Sequence, residues 1–166
     1  MGADDEASFD AFFRDAHRRL LGQAYLLTAD LARAQDLTQE AFERAWVHWR
    51  RVSRYEHPEA WTRRVLHNLC ISEWRKQRRR EERPPGTPVV VAAPGEDHLL
   101  LLDVLRSLPP DQARALVLHD GAGLTVAEIA VELSVAEGTV KSWLSRARSR
   151  AASVLGAAYQ LERGGC

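Results

Sequence analysis

A chain of 166 residues, 45% of them hydrophobic, suits one ordinary domain or two small ones and is too apolar for global disorder. Its 23 basic and 23 acidic residues cancel in sum but not in place: five of the six residues at 75–80 are basic, while acidic residues gather at 4–6 and 97–103. A neutral total therefore does not exclude nucleic acid, which responds to a local cationic patch.

In chain order, a first helix is expected over residues 8–27 with Ser8 as its cap. Phe9, Phe12, Phe13, Ala16, Leu20, Ala24 and Leu27 recur at three- and four-residue steps and form a core-facing stripe. Thr28 or Asp30 can cap a second helix over 31–49. Ala34, Leu37, Ala41 and Ala45 make its packing face; Asp36, Gln39, Glu40 and Glu43 lie opposite, with Phe42 and Trp46 along the flank. Such a surface is first of all that of a solvated acidic face; a protein-binding one is the other reading, since large aromatics beside polar residues anchor interfaces.

After a short connection at 51–57, residues 58–80 read as one uninterrupted helix opened by Pro58, which is tolerated in a first helical turn. On a 100° wheel Trp61, Arg64, Asn68, Ser72, Arg75 and Arg79 share one side. A flat ring, polar side chains and cations on one face could stack a base, bond its edges and neutralise phosphates. The same face also fits an ordinary solvated helix surface.

Composition then changes abruptly. The fourteen residues PPGTPVVVAAPGED (84–97) hold four prolines and two glycines and read as a linker. Beyond it an apolar helix over 99–108 and another over 111–119 are expected. Thr125 and Glu128 then form a capping box for a helix that packs through Ile129, Ala130 and Leu133. A tight connection at 134–137 leads into a final helix over 138–155, with Val140, Leu144, Ala147, Ala151 and Val154 turned inward. Lys141, Ser142, Ser145, Arg148 and Ser149 face outward with Arg146 at the edge. Two helices joined by about four residues, the second basic and small on its free face, describe a helix-turn-helix; a plain helical hairpin is the other reading.

The expected fold is thus all-α: two small helical domains joined by a Pro/Gly-rich linker, divided as 1–82, linker 83–98, 99–160 and a tail 161–166. No apolar run approaches the ~20 residues of a membrane span, and the acidic N-terminus has no signal-peptide pattern, so a cytoplasmic location is expected. Cys70 and Cys166 make no metal pair or disulfide framework, and the six histidines are scattered. With no phosphate loop or nucleophile elbow, neither catalysis, metal nor cofactor is expected.

Three stretches in this order resemble the extracytoplasmic-function (group 4) sigma factors of bacterial RNA polymerase: DLTQEAFERAW (36–46), AWTRRVLHNLCISEWRKQRRR (60–80) and LTVAEIAVELSVAEGTVKSWLSRARSR (124–150). The resemblance implies that Asp36, Gln39, Glu40, Phe42 and Trp46 contact the clamp helices of core RNA polymerase, with the flap as a further contact. It implies that Trp61, Arg64, Asn68 and Ser72 unstack the −10 element and hold a flipped base, in a pocket completed by the loop 53–57. Arg75, Lys76, Arg78, Arg79 and Arg80 would hold the DNA backbone. Lys141, Ser142, Ser145, Arg146 and Arg148 would enter the −35 major groove of promoter DNA. An anti-sigma factor is a further partner of many such proteins.

This sequence departs from the family at three places. Ser72 and Glu73 stand where many relatives carry an acidic residue followed by a larger one, and Ser134 where the turn often has glycine. Trp143 stands where a basic residue is usual; on the wheel it points away from Lys141, Ser145 and Arg148 and is expected to pack against a neighbouring helix. The competing functions are a sigma-like mimic that binds an anti-sigma protein without DNA, and a plain helix-turn-helix regulator.

Overall fold

The computed structural model describes residues 2–81 and 96–163, with side chains for residues 2, 4–77 and 101–156. All regular structure among the described residues is helical: α1 (Ala3–Thr28), α2 (Leu31–Val47), α3 (Trp49–Val52), α4 (Pro58–Glu81), α5 (Glu96–Ser107), α6 (Pro110–Leu116), a π-helical turn (Val117–Gly121), α7 (Val126–Leu133) and α8 (Glu137–Arg163). The chain divides into two compact units at residues 89 and 90. Most of the expected linker, and Cys166, fall outside the described residues; residues 96–98 already belong to α5.

In the first unit α1, α2 and α4 pack around one core. Ala16, Leu20, Ala24, Ala34, Leu37, Ala41, Phe42, Leu66 and Cys70 are buried in it. Fully burying one leucine contributes roughly 1.5–3 kcal/mol, and the alanines of α1 and α2 let the two backbones approach. The i, i+4 spacing of Ala16, Leu20 and Ala24 is what turns that stripe of α1 inward.

Helix α1 starts five residues before the expected start, at Ala3. The amide of Gly2 donates to Asp5 Oδ2 at 3.1 Å, and Asp4, Asp5 and Glu6 place negative charge in the first turn, where the helix dipole favours it. Ser8 is therefore inside the helix and caps nothing. Its Oγ accepts the indole N–H of Trp49 at 2.8 Å. That bond explains a break the sequence hid. α2 stops at Val47, His48 leaves helical geometry (φ −104°, ψ 13°), and the displaced chain carries Trp49 under Phe9 and Phe12, with ring centroids 5.1 and 5.0 Å away. Trp49 is 3% exposed, so the aromatic burial favours the turn over a continued helix.

Asp30 does cap α2, its Oδ1 accepting from the Arg33 amide at 3.0 Å. Pro58 opens α4, which runs unbroken to Glu81. Arg19 of α1 fastens its start, donating to Glu59 at 2.7 Å while also holding Asp15 at 2.8 Å. Those two bonds, Glu59 first, push the guanidinium pKa upward.

In the second unit α6, α7 and α8 enclose Ala113, Leu116, Leu118, Ile129, Val140, Leu144 and Ala147, all buried. The capping box of α7 is present: Thr125 N–H donates to Glu128 Oε2 at 2.7 Å, and Glu128 N–H to Thr125 Oγ1 at 3.2 Å. α7 ends with Ser134 in the left-handed region (φ 56°, ψ 47°), the conformation that glycine commonly supplies at a helix end.

Candidate nucleic-acid interface

Helix α4 buries one side and leaves the other open. Thr62, Leu66, His67 and Cys70 are buried, and His67 Nε2 lies 3.0 Å from Gln23 Oε1 of α1. This rigid attachment fixes the rotation of α4. Arg64, Asn68, Ser72, Arg75 and Lys76 are exposed. Trp61 is half-buried, with the His48 ring edge-on to it at 5.9 Å and 76°. The helical backbone continues through Arg78, Arg79 and Arg80, whose side chains lie outside the described residues.

Glu73, adjacent to Ser72, turns inward and forms an ion pair with Arg33 of α2. The departure noted at 72–73 is thus split: Ser72 belongs to the open side, and Glu73 joins two helices. The Arg33 pairing was not readable from local pattern, because forty residues separate the partners.

On α2, Asp36 and Gln39 are exposed and Glu40 is half-exposed; Gln39 donates to Glu43 at 2.9 Å and Arg44 to Glu40 at 2.6 Å. Phe42 departs from the flank position expected of it. It is 3% exposed, and Phe12, Phe13 and His17 surround it at 5.6, 4.8 and 5.8 Å. The wheel misplaced it because the packing face of α2 is wider than the alanine stripe, and the aromatic residues of α1 widen it. Phe42 consequently supports the surface from beneath and cannot itself be touched in this conformation. Trp46 is half-buried against Phe9, 4.9 Å between centroids. Val47, 72% exposed at the end of α2, was not singled out by the sequence.

On α8, Lys141, Ser145, Arg146 and Arg148 are exposed on the free side, whereas Ser142 and Trp143 are half-buried. Lys141 lies 4.0 Å from Glu137 one turn earlier. Arg148 is held from outside its own helix: Nη2 donates to Asp120 Oδ1 at 3.2 Å. Among the described residues no group of histidine, cysteine or carboxylate side chains could hold a metal, and no helix is long and apolar enough to cross a membrane.

One unit thus carries a cationic, partly aromatic helix and the other a basic helix-turn-helix. Residues 12–80 match the Sigma-70 region 2 family, and residues 98–150 match Sigma-70, region 4. The RNA polymerase sigma-E factor of Streptomyces coelicolor is 35% identical over 86% of this chain and 82% of its own length. The chain is an extracytoplasmic-function sigma factor. The ECF RNA polymerase sigma factor SigM of Mycobacterium tuberculosis is 34% identical to it over 93% of this chain and 80% of SigM. Among solved structures, the sigma factor RpoE of Bartonella quintana, in complex with the anti-sigma factor NepR, shares 25% identity with a TM-score of 0.76, covering 90% of this sigma factor and 97% of RpoE. A sigma factor directs transcription and is not an enzyme; the chemistry belongs to the polymerase.

Proposed function

We propose that this sigma factor binds core RNA polymerase through α2 and reads a promoter at two places, with α4 on the −10 element and α8 in the −35 major groove. The domains that do so are 1–82 and 99–160, joined by 83–98. Asp36, Gln39, Glu40 and Trp46 dock on the clamp helices, with Phe42 holding that surface in shape from below. The second unit reaches the flap.

Trp61, Arg64, Asn68 and Ser72 handle unstacked −10 bases, and Arg75, Lys76, Arg78, Arg79 and Arg80 the backbone. Unstacking costs a few kcal/mol per step, and stacking on an aromatic ring contributes ~1–3 kcal/mol per base. One tryptophan, a base pocket and several phosphate contacts are the right size to trap an open strand. They are too small to open a long bubble alone. The free protein therefore binds promoter duplex weakly and the holoenzyme tightly. Lys141, Ser142, Ser145, Arg146 and Arg148 form the −35 contact.

The observation that carries the reading is the rotation of α4. Its burial through Thr62, Leu66, His67 and Cys70 leaves Arg64, Asn68, Ser72, Arg75 and Lys76 together on the open side, next to the Trp61 ring. An anti-sigma factor is a further partner, in line with the complex of RpoE with NepR. Promoter-directed transcription with purified core polymerase tests the reading. Templates melted at −10 should depend on Asn68 in a base-specific way, and Arg75→Ala or Lys76→Ala should weaken all promoters alike while lowering the salt slope by about one per cation removed. A protein that binds an anti-sigma factor but directs no transcription would instead be a mimic.

A further inference from the structure

We propose that Asp120 is a specificity-determining positioning residue for the −35 contact: it fixes the guanidinium of Arg148 on α8 so that its remaining donors meet the DNA in one orientation. The proposal rests on the reading of α8 as the −35 helix.

The geometry is unusual for a surface pair. Val117–Gly121 is a π-helical turn, closed by the Ala122 amide on the Val117 carbonyl at 2.9 Å. A π-turn inserts one residue into the helical register, and such turns recur at functional sites. Here it brings two consecutive side chains to α8. His119 Nδ1 and Arg148 Nη2 both approach the same oxygen, Asp120 Oδ1, at 2.5 and 3.2 Å. At that distance from a carboxylate oxygen Nδ1 must carry its proton, since two lone pairs would repel. The 3.3 Å between Arg148 Nη2 and His119 Nδ1 is then a proximity between two donors sharing one acceptor. Burial pushes the Asp120 pKa up, but the bonds from His119 and Arg148 and their charges outweigh it, and the carboxyl titrates below its ordinary value.

A carboxylate beside a DNA-reading helix repels phosphate unless a cation screens it. The pair is about half-exposed on both sides, 53% and 51%, and exposed pairs of this kind contribute little stability. Its consequence is geometric. The structure gives Arg148 contacts at Nη2; that nitrogen carries two hydrogens, so the one not given to Asp120, with the N–H beside it on the guanidinium fork, can serve an acceptor pair such as guanine O6 and N7. An arginine tethered at one nitrogen has already lost the side-chain entropy that a free one loses on binding.

The test uses the full chain with core RNA polymerase and a template library randomised across the −35 element, comparing wild type, Asp120→Asn, Asp120→Glu, Arg148→Ala and the Asp120→Asn/Arg148→Ala double variant. Arg148→Ala should abolish preference at one or two base positions. Asp120→Asn should reduce preference at those same positions by about 3- to 10-fold, part of what a bidentate contact supplies, and should change nothing further when Arg148 is already absent. Asp120→Glu should restore part of it. If Asp120→Asn is without effect, acts at other positions, or adds fully to Arg148→Ala, the positioning role is overturned while the −35 reading stands. If Arg148→Ala, Lys141→Ala and Arg146→Ala all leave the preferences unchanged, the −35 reading itself fails and the proposal with it.

Discussion

Arg33, in the first turns of α2, and Glu73, past the middle of α4, form an ion pair that joins the helix proposed to meet polymerase to the one proposed to meet DNA. Glu73 retains 15% of its side-chain exposure and Arg33 41%, so the pair stands between a surface bridge and a buried one. Glu73→Gln should lower unfolding stability by about 1–2 kcal/mol, more than an exposed pair contributes and less than a fully buried one. Ser72→Ala, one position away on the open side, should stay within about 0.5 kcal/mol. Urea unfolding of both variants measures the contrast.

Phe42 and Glu40 separate support from contact. Phe42→Ala should cost about 3–5 kcal/mol, because it empties a site closed by three aromatic rings of α1 and by His17. Polymerase binding should fall with it only as far as the fold loosens. Glu40→Ala should leave thermal unfolding nearly unchanged and weaken core-polymerase binding directly. A core-binding titration beside a melting curve distinguishes the two.

Two helix ends carry left-handed residues other than glycine. Ala29 (φ 53°, ψ 24°) closes α1 with its amide on the Tyr25 carbonyl at 2.7 Å, and Ser134 ends α7. Ala29→Gly should raise stability by about 0.5–1 kcal/mol, the left-handed penalty being partly offset by the freedom glycine gains when unfolded. Ser134→Gly should move in the same direction. Chemical denaturation should show the midpoint shifting upward at constant slope.

Thr38 lies on α2 with no exposure, and its hydroxyl has no hydrogen-bond partner. Thr38→Val replaces the hydroxyl with a methyl of similar size. It should raise stability by about 1 kcal/mol, the penalty of an unsatisfied buried donor being removed. A loss instead would mean that the hydroxyl is satisfied in solution.

The elements legible beforehand were those whose signal is local. The alanine stripe of α2, Pro58 at the start of α4 and the Thr125–Glu128 box are all patterns within one turn or one face, and each appears in the structure. The break at His48 was not legible, since no proline or glycine marks it and its cause is the burial of Trp49 forty-one residues from Ser8. Phe42 was misplaced for a related reason: a helical wheel sees one helix, and the second wall of the pocket comes from α1. Likewise the exposed side of α4 was readable from spacing, but Glu73 and Asp120 become meaningful only when Arg33 and Arg148 are brought to them.

The open side of α4 is proposed to read −10 bases inside the holoenzyme. Transcription with purified core polymerase, from templates carrying every base at each −10 position, tests it most directly, with wild type compared to Asn68→Ala. Wild type should initiate from a defined subset, and Asn68→Ala should lose discrimination at one or two positions while keeping core-polymerase binding. Initiation by Asn68→Ala, Trp61→Ala and Ser72→Ala with the unaltered wild-type −10 preference would contradict it.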